Sequence, residues 1–240
     1  MSGARAVNEQ SPRLLANRRS PELATSSLQG VLAVPIGATE QHGPHLPLST
    51  DTDVAVALCL ALAAARDDVI VAPALPYGSS GEHAGFPGTI SIGQAALEHL
   101  VVELVRSATD SFPHVVLVSA HGGNAEPLER AVERLRAESR DVVLHLPSWP
   151  GHPHAGRPET SMLLALTPER VDMTLAAPGN VGSLEELWPK LRSGGVASVS
   201  ANGILGDPTG ANAPEGADLL ESLATSLISA VDRWRTGVPA

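Results

Sequence analysis

From residue 31 the chain alternates between short apolar runs and longer stretches in which apolar residues recur every three or four positions. VLAVPIG at 31–37, VIVAPAL at 69–75, HVVLVSA at 114–120 and DVVLHLP at 141–147 have the length and branching of buried strands. Between them lie helical patterns. Asp51 opens DTDVAVALCLALAAAR, whose small apolar residues suit a well-buried helix. GQAALEHLVVELVRSATDSF at 93–112 places Leu97, Leu100, Val101, Leu104 and Val105 on one face, and AEPLERAVERLRAE at 125–138 reads as a charged surface helix. Further on, MLLAL after 161 begins a helix, and SLEELWPKLRSGG at 183–195 makes a short one. A glycine-rich stretch with short strand character then leads to ADLLESLATSLISAVDRWR, where Leu219, Leu223, Leu227 and Val231 recur at four-residue spacing. Strands interleaved with helices predict an α/β fold with a mainly parallel central sheet covered by helices on both faces.

Residues 1–29 are polar and interrupted by Pro12 and Pro21. They read as a flexible N-terminal arm with one short helix, leaving 30–240 as a single domain.

Composition narrows the function. A formal charge of -10 leaves no basic field for phosphates, so neither nucleic acid nor an anionic membrane is an expected partner. No apolar run approaches the ~20 residues of a membrane helix. Cys59 is the only cysteine, which rules out an intrachain disulfide and favours a cytoplasmic setting. Aromatics make up only 2% of the chain, so the core must be aliphatic.

In a parallel sheet the site lies outside the carboxyl ends of the strands, and here donor-rich segments follow the strands there. TEQHGPHLPLSTDTD at 39–53 holds Glu40, His42, His45, Asp51 and Asp53; GSSGEHAGFPGTIS follows residue 77; HGGN follows 120; WPGHPHAGRPETS occupies 149–161. Carboxylates and imidazoles of this kind suit divalent ions such as Zn, Mn or Fe(II). Asp51 at a helix start can bridge two cations, His121 can add a fourth ligand to Glu40, His42 and Asp51, and Glu159 a fifth. Each has a plainer alternative: Asp51 as a helix cap, His121 as a turn residue, Glu159 as a carboxylate favoured by a helix dipole. His45 and Asp53 are expected in supporting roles. His154, with His152 as competitor, suits proton transfer to a leaving amine. Glu82, His83 and Phe86 are candidates for substrate contact, as are Gly122, Gly123 and Asn124. HExxH, GxSxG, Walker A and GxGxxG motifs are all absent.

TEQHGPHLPLSTD, GEHAGFPGTIS, AHGGN and HAGRPETS together resemble the creatininase family of metal-dependent amidohydrolases, over roughly residues 30–165. The resemblance implies a three-layer α/β/α hydrolase with two divalent ions per chain, assembled as a homo-oligomer, often a hexamer. It equates Glu40, His42, Asp51 and His121 with metal ligands and His154 with the catalytic histidine. The member that opens creatinine carries a glutamate where this chain has Gly123, which argues against creatinine and leaves Glu159 as the expected replacement ligand. LRSGGVASVSANGILGDPTGA at 191–211 is similar to a peptidase branch of the family. That implies a modified precursor peptide as substrate, cut to release a crosslinked C-terminal Val-Tyr-derived dipeptide. Deformylation or hydrolysis of another small cyclic or linear amide is the alternative chemistry, and a non-catalytic metal-binding scaffold the alternative class.

Overall fold

The computed structural model describes residues 13–23, 30–152 and 154–237. The rest of the expected arm, 1–12 and 24–29, lies outside the described residues. Of its described part, Ser20–Leu23 forms α1, Leu14 bridges Val71, and Leu15 and Leu23 pack on the core.

Four parallel strands make the sheet: β1 Val31–Ile36, β2 Val69–Val71, β3 His114–Ser119 and β4 Asp141–His145, in the order β2-β1-β3-β4. The helices are α2 Thr50–Ala65, α3 Gln94–Ala108, α4 Ala125–Ala137, α5 Arg157–Leu166, α6 Leu184–Gly194 and α7 Ala213–Thr236.

Strand alternation divides the core into two layers. Val31 and Ala33 of β1 and Val116 and Val118 of β3 face Leu58 and Leu62 of α2 and Leu227 of α7. Leu32, Val34 and Ile36, with Val115 and Leu117, face Leu97 and Val101 of α3 and Leu128 and Leu135 of α4. Fully buried leucines such as Leu58, Leu62 and Leu117 each contribute on the order of 2 kcal/mol. The core is aliphatic, as the composition predicts, and the α/β arrangement is the one the pattern predicts.

Several boundaries differ from the sequence expectation. β2 stops at Val71, because Pro73 and Pro76 interrupt the ladder, and Leu75 keeps only an isolated bridge to Ile36. α7 starts at Ala213, where Asn212 accepts from the Glu215 N–H at 3.0 Å and proline fits the first turn. α5 starts at Arg157, which puts Glu159 in its first turn. Leu100 is not part of the buried face of α3 but 38% exposed. Within 195–216, strand character is limited to a bridge between Leu205 and His154.

Sheet order decides where the site lies. β1 has β2 on one side and β3 on the other, so the chain reverses its direction of winding there. Loops leaving the carboxyl ends of β1 and β3 part at that crevice, where open α/β sheets hold ligands.

Candidate metal centre

Gly37 lets the end of β1 press against α2. A Cβ there would lie 2.1 Å from Oγ1 of Thr52, so only glycine brings residues 40–42 beside the first turn of α2. That contact gathers Glu40, His42 and Asp51, which are 0%, 0% and 3% exposed.

The Nδ1 of His42 lies 3.2 Å from the carbonyl oxygen of Glu40. With Nδ1–H donating to that carbonyl, Nε2 keeps its lone pair, as a metal ligand must. Nε2 faces Asp51 Oδ1 at 3.4 Å and Glu159 Oε2 at 4.0 Å. The other oxygen of Asp51 faces Nδ1 of His121 at 3.7 Å. Glu40 extends the cluster the other way, with Oε2 3.2 Å from His121 Nε2 and Oε1 3.3 Å from His83 Nε2. Among the described residues three compact donor groups result: His42, Asp51 and Glu159; Glu40, Glu82 and His121; and Glu40, His42 and His154.

His154 closes the site from the loop before α5. Its Nε2 lies 2.8 Å from the carbonyl oxygen of Gln41, so Nε2–H donates there and Nδ1 is left with the lone pair, 3.8 Å from Glu40 Oε1. The next residue, Ala155, adopts a left-handed φ of 52° and its N–H donates to Glu159 Oε2. A non-glycine residue held there stores backbone strain, a frequent feature of functional sites.

Charge in the cluster is unbalanced. Burial opposes charge on His42, but Asp51, Glu159 and Glu40 outweigh it and raise its pKa to about 10. His121 is raised to about 10 in the same way, burial being outweighed by Glu40, Asp51 and Glu82. Burial also opposes charge on Glu40, yet His121, His83 and His42 hold its carboxyl below the usual range. Burial drives Asp51 and Glu159 upward. His154 is pushed well below its ordinary value, first by burial and then by the charges of His42 and His83. Without a bound cation, protonated imidazoles are what balance the buried carboxylates.

Both carboxylate oxygens of Glu40, Nε2 of His42 and Oδ2 of Asp51 are buried and have no hydrogen-bond partner. Orphaned polar atoms of this kind are rare and costly in a native interior. Their convergence fits divalent cations, which would satisfy them together.

Comparison with known proteins gives the family. The creatininase family profile, described as creatinine amidohydrolase, matches residues 16–231. The chain belongs to the creatininase family. It is 48% identical over 215 residues to the mycofactocin precursor peptide peptidase of Mycolicibacterium smegmatis, covering 87% of each chain. Among solved structures it is similar to a creatininase described with Mn, with a TM-score of 0.79 and 25% identity over 95% of this chain and 99% of that one. A mutant creatininase of Zn-Zn type gives a TM-score of 0.77 at 25% identity, covering 95% and 98%. As a member of this family the chain is a hydrolase of C–N bonds.

Most residues named from the sequence for this creatininase-family site come together, but some do other work. Phe86 does not line a cavity beside the cluster. It packs with Leu187, Val196 and Leu205, because its glycine-flanked loop folds back under α6. Asn124 is fully buried and ties loops together: Oδ1 accepts from the Ser79 N–H at 2.8 Å, and Nδ2 donates to the Gly37 carbonyl at 3.0 Å. His45 donates to or accepts from Thr160 Oγ1 at 2.9 Å, and Asp53 binds Ser49 and Arg170. His152 lines the cleft, with Nδ1 accepting from the Asp207 N–H. Gly122, Gly123, Glu82 and His83 do line the neighbouring cavity. Glu159, expected as the replacement ligand, lies on the His42 side of the cluster, with Oε2 4.0 Å from His42 Nε2.

Gln41 was not singled out from the sequence. It is 5% exposed and its Nε2 lies 2.8 Å from His83 Nδ1, 3.0 Å from His154 Nε2 and 3.0 Å from the Gly203 carbonyl. A polar residue flanked by two ligand candidates is the signal that marks it.

Proposed function

We propose that the chain is a two-metal peptidase that cuts a modified precursor peptide and releases its C-terminal Val-Tyr-derived dipeptide. What carries this reading is the set of buried, partnerless donor atoms beside an extended cleft. His42, Asp51 and Glu159 would hold one ion, Glu40 and His121 the other, with an oxygen of Asp51 turned toward each histidine. Zn, Mn and Fe(II) all suit these donors. When bound, such ions lower the pKa of water and polarise a carbonyl.

The chain's own residues supply the rest. Nδ1 of His154 takes the proton of the attacking water and delivers it to the leaving nitrogen, since burial keeps the ring neutral and Gln41 fixes its tautomer. A cavity of about 550 Å³ on the Trp149 side and one of about 840 Å³ on the Trp188 side share His121, Gly122, His154 and Leu184. A peptide can therefore extend both ways from the scissile bond. Leu184 and Trp188 of α6 are 45% and 53% exposed, and offer apolar surface to an aromatic dipeptide.

The substrate follows the relative named mycofactocin precursor peptide peptidase. We place the enzyme in the cytoplasm as a homo-oligomer, a hexamer by family resemblance. No helix among the described residues is long and apolar enough to cross a membrane. Incubation with the modified precursor, followed by mass spectrometry, should reveal loss of the dipeptide. An intact precursor, alongside turnover of a small amide, would overturn the substrate assignment.

A further inference from the structure

His152 stands in the cleft beside the metal centre and has no task in the hydrolysis described above. It lies in the loop between β4 and α5, two residues before His154, and lines the cavity of about 550 Å³ on the Trp149 side. Its Nδ1 lies 3.0 Å from the backbone nitrogen of Asp207. A backbone N–H can only donate, so Nδ1 is the acceptor and Nε2 carries the ring proton. The ring is half-buried, and its Nε2 is neither paired with another described group nor among the buried atoms that lack a partner. The Nε2–H therefore opens on the cavity.

Two glycines admit this side chain. A Cβ on Gly156 would lie 2.5 Å from Cβ of His152, and one on Gly206, where φ is 144°, would lie 2.2 Å from it. The backbone that presents the Asp207 N–H is itself tied down. The Leu205 N–H donates to the His154 carbonyl at 2.9 Å, and the Gly179 N–H donates to the Gly206 carbonyl at 2.9 Å. Oδ1 of Asp207 accepts from the Thr209 N–H at 2.9 Å and from its hydroxyl at 2.7 Å. ILGDPTG at 204–210, within the stretch similar to a peptidase branch of the family, thus fixes both the tautomer and the place of His152.

The lining of the cavity selects what this donor meets. Trp149, Val181 and Leu184 give it apolar surface, Asp51 and Glu159 reach it from the metal centre, and it has no lysine or arginine. A substrate carboxylate would find no cationic side chain there. A peptide carbonyl needs only one N–H in apolar surroundings.

We propose that His152 is a substrate-binding residue whose Nε2–H donates to a backbone carbonyl of the peptide segment lying in the Trp149 cavity. The proposal rests on the peptidase reading and adds a recognition contact to it, separate from the proton transfer given to His154.

Binding of the modified precursor to metal-loaded protein, with His154→Ala to stop turnover, tests this. His152→Asn keeps an acceptor for the Asp207 N–H and ends short of the Nε2 position, so it should weaken binding about tenfold. His152→Gln carries an N–H to that position and should keep most of the affinity. In the otherwise wild-type enzyme, His152→Asn should raise KM about tenfold with kcat within about twofold, and metal content should not change. A ring that only anchors the loop gives the opposite order, asparagine tolerated and glutamine impaired, and that order would overturn the proposal. Wild-type affinity in both variants would overturn it as well and leave the peptidase reading standing. So would a fall of about 10²-fold in kcat with KM unchanged, the mark of a proton carrier. Circular dichroism checks that each variant is folded, and if His152→Asn does not fold, His152→Ala set against His152→Gln reads the same loss of the donor. Loaded protein with His152 intact that does not bind the precursor would overturn the peptidase reading and this contact with it.

Discussion

The carbonyl oxygen of Gln41 lies 2.8 Å from Nε2 of His154, and with both hydrogens of the Gln41 side-chain amide donated to the Gly203 carbonyl and His83 Nδ1, Nε2–H donates to that carbonyl. Since Nε2 donates outward, Nδ1 is the atom free to carry a proton. His154→Ala should therefore retain both ions and lose about 10²- to 10⁴-fold in kcat. Metal analysis beside steady-state kinetics checks this. Loss of metal together with activity would instead make His154 a ligand.

Asp51 turns one oxygen to His42 and the other to His121, at 3.4 and 3.7 Å. Asp51→Ala should remove the group between the two donor sets, so metal content and hydrolysis should fall together. A metal-free Asp51→Ala protein with full activity would end the two-metal account.

The raised pKa values of His42 and His121, both about 10, give the pH dependence a sign. In metal-free protein their ion pairs stabilise the fold fully below the ordinary histidine pKa of about 6.5, and this stability is lost as pH rises through about 10. The melting temperature of the metal-free form should fall from pH 7 to 10 by more than that of the loaded form. Loading at pH 7 should also release about two protons per chain, readable from calorimetry in buffers of different ionisation enthalpy.

Asn124 satisfies the Ser79 N–H and the Gly37 carbonyl while fully buried. Asn124→Ala strands both and should cost about 2–4 kcal/mol of stability, measured by denaturant unfolding. If it lowers turnover with stability unchanged, the residue contacts substrate after all.

How much was legible beforehand depended on how local each signal is. Glu40, His42 and Asp51 stand within one short stretch after a strand, so their donor chemistry could be read directly. The parallel sheet was legible from Val- and Leu-rich runs separated by helical periods. Phe86 was open to either reading, because an aromatic in a glycine-rich loop can face substrate or core equally well, and the fold of the loop under α6 packs it against Leu187, Val196 and Leu205. Gln41 acts through Gly203, His83 and His154, all distant in sequence, which no local pattern reveals. For α7, Asn212 with Pro214 and Glu215 was a readable start, but its strongest apolar repeat begins later, at Leu219.

Metal dependence tests the central claim most directly. Protein purified from metal-supplemented medium should contain two divalent ions per chain and cleave the modified precursor. It should lose cleavage on chelation and regain it when Zn, Mn or Fe(II) is returned. Metal-stripped protein that still cleaves the precursor at the original rate would contradict the account.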